Sequence, residues 1–182
     1  MSKLITYQYL RQETDISQNI DNKMLDNPIK RAQDMLSFVL GKAFFEEIQD
    51  EFDSNSLSTD NDSLFDPYIK KFLAWQAYEF YIVRANVYES RTGFRQFSEE
   101  NSEMASDVVM GNIIKDAKQW TQFYKGEMLT YIKQQQRIDS SKYPLYKDCG
   151  GDRIGNGFHI TAITAKDKTS NKINRQTYLN GD

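Results

Sequence analysis

Apolar positions recur every three or four residues over several stretches of the chain, and each stretch predicts a helix with one buried face. The clearest runs from 66 to 88. Asp66 followed by Pro67, a side-chain cap with proline at the first helical position, predicts its start. Ile69, Phe72, Leu73, Ala77, Phe80, Val83 and Val87 supply the buried stripe. Tyr68, Trp75, Tyr78, Tyr81 and Tyr88 widen it until much of the circumference is aromatic or apolar. A helix with so little solvent face is expected to be enclosed by its own bundle, by neighbouring subunits, or by both.

Asn27-Pro28 predicts a second helix start, with Ile29, Ala32, Met35, Leu36 and Val39 inward. Gly41 interrupts this pattern, and Phe44, Phe45, Ile48 and Phe52 resume it, so the glycine reads as a bend between two helices. Acidic residues within Ser98–Glu103 lead into another long helix, suited to its electropositive start. Met104, Val108, Ile114, Ala117, Trp120, Tyr124, Met128 and Tyr131 are its expected buried positions. Its interior Gly111 and Gly126 each cost up to about 1 kcal/mol relative to alanine.

The intervening segments carry other patterns. Leu4, Ile5, Tyr7, Tyr9, Leu10, Ile16 and Ile20 form an apolar cluster that suits a short strand or a turn of helix equally. Asp53 to Ser63 is rich in serine, asparagine and aspartate, and reads as a mobile loop. Asp53, Asp60 and Asp62 lack the glycine and terminal glutamate of a calcium loop. Arg91, Gly93, Phe94, Arg95 and Phe97 mark a short extended turn between the two long helices. Tyr143-Pro144-Leu145-Tyr146 reads as extended, because residues before proline avoid helix. After a glycine cluster at 150–157, Phe158, Ile160 and Ile163 alternate like one strand, and a polar tail ends near Tyr178. The segment 149–182 is either an arm that orders on a neighbour or a disordered tail. The predicted fold is mainly α: an antiparallel helical bundle with two long helices, a short extended turn between them, and a C-terminal extended arm with one β-strand. The expected divisions are an N-terminal segment 1–25, a helical domain 26–148 and the arm 149–182.

Composition narrows the function more by exclusion than by suggestion. Aromatic residues make up 13% of the 182, which favours an aromatic core and aromatic interfaces. The formal charge of −3 is unevenly spread: residues 1–66 hold 6 basic and 13 acidic groups, and the remainder is net positive. Such polarity suits head-to-tail contact between copies, or simply a solvated acidic face. The chain lacks the basic excess of a nucleic-acid binder. Cys149, the single cysteine, excludes an internal disulfide framework and a cysteine zinc site. No stretch is apolar enough for a membrane span, and Met1-Ser2-Lys3 leads into no signal region. His159, the single histidine, lies near Cys149 but in the arm, without an orienting group. The glycines at 150–157 lack the lysine and hydroxyl of a P-loop, and adjacent Glu46 and Glu47 have no histidine partner for a di-metal site. The expectation is therefore a protein that is not an enzyme and that holds no metal or cofactor.

Three segments together resemble a family. Ile29-Lys30-Arg31-Ala32-Gln33-Asp34, followed by Val39-Leu40-Gly41-Lys42-Ala43-Phe44-Phe45, is similar to the opening helices of head-to-tail connector (adaptor) proteins of tailed bacteriophages. Phe65-Asp66-Pro67-Tyr68-Ile69-Lys70 and Leu73-Ala74-Trp75-Gln76-Ala77-Tyr78 resemble their central helix, and Glu100–Ser106 resembles the entry to their last long helix. Roughly residues 20–148 are covered, and the nearest flavour is that of Bacteroides-infecting, crAss-like phages. The resemblance implies a ring, typically of twelve copies, at the head–tail junction of a virion assembled in the host cytoplasm. Such a ring docks on the portal protein, extends the DNA channel without specific DNA binding, and meets a downstream tail or second-ring protein. It offers no catalytic position, only interfaces. The expected contact residues are Trp75, Tyr78, Tyr81, Tyr88, Arg91, Phe94, Arg95 and Phe97 near the central helix and turn. In the arm and its approach they are Tyr143, Tyr146, Phe158, Ile160, Ile163 and Tyr178. The alternatives are a second adaptor or tail-terminator-like ring component, or a non-viral helical protein-binding module.

Overall fold

Most of the backbone is helical, as the spacing of apolar residues requires. A computed structural model of the chain describes residues 2–85, 87–90, 93–96 and 107–147, all within one unit, Met1–Asp148. The expected strand at Phe158–Thr164 and the rest of the unit Cys149–Asp182 lie outside the described residues.

The middle of the N-terminal apolar cluster, Tyr7 to Leu10, folds as helix, and the rest of it flanks that helix. Thr6 caps α1 (Tyr7–Glu13) by accepting from the Tyr9 amide at 3.1 Å, and Leu4, Ile5, Leu10 and Ile16 enter the core. Buried Gln33 ties the segment down, accepting from the Leu4 amide and donating to the Ser2 carbonyl, each at 3.1 Å. Helix α2 (Asn22–Leu40) starts earlier than expected, at Asp21, whose side chain accepts from the Lys23 amide at 2.9 Å. Pro28 consequently sits inside the helix, buried, instead of opening it. Gly41 joins α2 to α3 (Lys42–Asp53) with φ +85°, a left-handed conformation that glycine alone adopts freely.

The expected loop after α3 is largely folded. Asn55, at φ 52°, closes α3, with the Ser56 amide reaching back to the Glu51 carbonyl at 2.9 Å. Ser58 then caps α4 (Thr59–Leu64), while the Glu51 carboxylate accepts from the Ser58 amide at 3.0 Å and from buried Asn61 at 2.8 Å. Several of the polar residues that read as loop therefore close or open helices, Ser54 and Asn55 at the end of α3 and Ser58 at the start of α4. The helix continues through a π turn, Phe65–Ile69, into α5 (Lys70–Ala85). Pro67 does not start a helix here. It has no amide hydrogen and its ring crowds the carbonyl four residues back, a conflict that a widened turn relieves.

Both α2 and α6 (Asp107–Ile138) pack on α5. Arg31 lies over the Phe80 ring at 4.1 Å and Arg84 donates to Asn27 at 3.4 Å, so α2 runs antiparallel to α5. On the other flank Tyr68 stacks on Tyr131 at 4.7 Å and Trp75 on Trp120 at 5.6 Å, again an antiparallel pairing. Trp75 and Arg84 stand nine residues apart, two and a half helical turns, which places α6 and α2 on opposite sides of α5. Leu25, Ile29, Leu36, Phe44, Phe72 and Leu73 are among the fully buried side chains of the shared core. Val83, expected in the buried stripe, is exposed, and α5 ends before Val87. Val87–Ser90 (β1) pairs antiparallel with Gly93–Gln96 (β2), Val87 opposite Gln96.

Candidate interaction surface

The aromatic face of α5 and α6 is the largest concentration of accessible rings among the described residues. Positions 113, 116, 120, 123 and 127 of α6 repeat at spacings of three and four, and so share one flank of the helix. Ile113, Trp120 and Phe123 are exposed on it, Trp120 by 40% and Phe123 by 53%. Trp120 is held by Trp75 on one side and by Tyr124 at 5.8 Å on the other, while Phe123 meets Tyr124 edge-on at 5.2 Å. The Lys71 ammonium lies 5.6 Å from the Tyr124 ring centroid and closes one end of the array. The rings are thus fixed in place by neighbours within the chain, yet present an edge or face to solvent. Rigid, partly accessible aromatics of this kind suit contact with another protein.

The charged residues within the row itself are acidic, while Lys71 lies beside it. Asp116 and Glu127 share it, and neither has an ion-pair partner among the described residues. Burial, with the charges of Asp15 and Asp116, pushes the Tyr78 phenol above its ordinary range, and burial alone does the same for Tyr81. Burial likewise raises the Glu79 carboxyl, against the opposing pull of Lys118 and of the Gln76 amide, which donates to it at 3.1 Å.

The expected contact residues divide. Trp75 is half-buried at this face, stacked on Trp120, and Tyr81 is half-buried farther along α5. Tyr78 is buried and belongs to the core. Tyr143 and Tyr146 are also core residues, which corrects their assignment to a partner interface. Both pack on Phe44, at 5.6 and 6.4 Å, and the Tyr143 hydroxyl donates to the Asp60 carbonyl at 2.7 Å. The segment is turned, not extended: the Tyr146 amide reaches the Tyr143 carbonyl at 3.0 Å, with Tyr143 at φ 49°. Proline suits the second position of such a turn. Gln136 donates to the carbonyls of Tyr143 and Tyr146, and Lys142 pairs with Asp60 at 2.8 Å, so the whole segment is clamped from three elements. Tyr88, Phe94 and Arg95 fall in β1 and β2, where only the backbone is described. Arg91, Phe97, Phe158, Ile160, Ile163 and Tyr178 lie outside the described residues. Val108 and Trp120, expected in the buried face of α6, are exposed, and Ile113 and Phe123, at helical spacing from Trp120, were not singled out by the sequence reading.

No group of three or more His, Cys, Asp or Glu among the described residues could hold a metal ion. A cleft of about 330 Å³ between α3 and the π turn is lined by Phe52, Leu57 and Phe65. Its lysine, Lys70, is already paired with Asp66. No helix among the described residues is long and apolar enough to cross a membrane.

A mainly helical protein with a fixed, accessible aromatic face is the class that this architecture defines. The chain belongs to the Family of unknown function (DUF6712), whose model matches residues 36–155, more than half its length. No match is found among curated proteins or among solved structures.

Proposed function

We propose that this chain is a structural protein of a tailed-phage virion, a head–tail connector that acts through interfaces and not through catalysis. Its copies form a ring that docks on the portal, extends the DNA channel and meets the next tail component. DNA passes through the channel without specific binding, and the ring sits at the head–tail junction after assembly in the host cytoplasm. In this reading the helices form an antiparallel bundle, and residues 149–182 are an arm with one strand that reaches a neighbour. The observation that carries the proposal is the exposed, internally braced ring array of Trp120 and Phe123 on α6. Monomeric proteins seldom keep such rings at the surface without a partner. The resemblance of residues 20–148 to connector proteins supplies the partner.

Mixing the purified chain with portal protein and imaging by negative-stain electron microscopy tests the reading. Rings capping the portal are expected. Bare portals beside free monomers would overturn it, and binding to a tail component alone would favour a second adaptor or tail-terminator-like ring. Deleting residues 150–182 should leave helix content nearly unchanged by circular dichroism and weaken ring formation.

A further inference from the structure

The exposed flank of α6 has a counterpart across the molecule, on the opposite side of α5. Residues 24, 27, 31, 34 and 38 of α2 repeat at the same spacings of three and four. Met24 and Phe38 at the ends of this row are exposed, by 47% and 63%, and Arg31 stands at its middle. Lys23 and Lys30 lie beside the row, and neither has an ion-pair partner among the described residues. Asp34 is the row's one acid. The α6 flank has the complementary character, with Ile113, Trp120 and Phe123 accompanied by Asp116 and Glu127. Each row spans fifteen residues, about 21 Å of helix from end to end, so the two match in length.

We infer that a second copy of this chain seats its α2 row on the α6 flank of the first. This rests on the ring-forming reading above and names the two faces that meet. The contact joins different surfaces, so each bound copy leaves one face of either kind free, and the arrangement propagates until rotation closes it. Apolar ends and opposite charges are then buried together. An acidic row would gain nothing from a second acidic row, which disfavours a symmetric α6-to-α6 pair.

Two full-length variants, each broken on one face, test the pairing: Phe38→Glu on α2, and Ile113→Glu with Phe123→Glu on α6. Sedimentation velocity should show each alone associating at least about tenfold more weakly than the parent, the loss expected when an anchor is removed. An equimolar mixture should form a dimer and nothing larger, because each variant keeps one intact face. Circular dichroism on each variant confirms that the fold is retained. Raised salt should weaken association of the parent. A mixture that stays monomeric overturns the pairing, as does either variant assembling like the parent. Parent rings on the portal alongside variants that still assemble would remove this pairing and leave the connector reading standing. A parent that stays monomeric both alone and with portal would remove both.

Discussion

Two faces of α6 carry apolar residues at the same three-and-four spacing and have opposite surroundings. On one, Ala117, Met128 and Ile132 are fully buried, and the turn at Tyr143–Tyr146 folds back over its C-terminal end. On the flank beside it, Ile113, Trp120 and Phe123 are exposed. Spacing alone does not separate the two faces. The difference lies in what covers them: one is packed against its own chain, and the other is braced by neighbouring rings and covered by none of the other described residues. Helical period identifies which residues share a face, but the cover is a property of the whole fold.

That contrast can be broken at its covered face first. Phe44 is the fully buried ring on which Tyr143 and Tyr146 both pack. Phe44→Ala should cost about 3–5 kcal/mol in urea denaturation, the range for deleting a buried aromatic. A loss below 1 kcal/mol would mean that the roof is not held by this contact. Tyr143→Phe removes only the hydroxyl donated to the Asp60 carbonyl, and about 1 kcal/mol should be lost by the same measurement.

A smaller effect is expected at Glu79, between the two flanks of α5. Burial raises its carboxyl above the usual range, so the folded state holds this proton more tightly than the unfolded state does. Its favourable contribution is complete below the unfolded pKa and is lost as pH rises through the folded value. Glu79→Gln, which can still accept from Gln76, should therefore melt higher than the parent at pH 7. The gap should close below about pH 4, near the unfolded glutamate value. A gap that widens on acidification would reverse the assignment. The smallest effect belongs to the open face. Phe123→Ser should change stability by no more than about 0.5 kcal/mol, as surface substitutions do. A larger loss would show that the ring is structural, not merely displayed.

The mainly helical character was legible because the three-and-four spacing of Ile29, Leu36, Phe72 and Leu73 is a direct consequence of helix geometry. Helix ends were less so. Asp66-Pro67 has the chemistry of a start, yet Ser58 and Glu51 satisfy the open amides nearer the true start and carry the helix straight through the proline. Those caps come from side chains that, in sequence, look like loop. Of the residues read as contacts, Trp75 and Tyr81 are half-buried while Tyr143 and Tyr146 are core, and residue type could not separate the two pairs. Tyrosine is equally at home in a core when its hydroxyl finds an acceptor, and that acceptor, the Asp60 carbonyl, is 83 positions away in the chain. Phe123 is exposed because no other described residues cover it, and no residue type signals that.

The chain has two tryptophans, Trp75 and Trp120, and they are stacked on each other across α5 and α6 at 5.6 Å. All of its indole fluorescence therefore originates at one junction, and the two transitions are close enough to couple in near-ultraviolet circular dichroism. Unfolding followed by that signal reports the parting of two particular helices, not an average over the molecule. Because Trp120 keeps one edge in water, a quencher such as acrylamide can sense whether that edge becomes occupied, without any label attached.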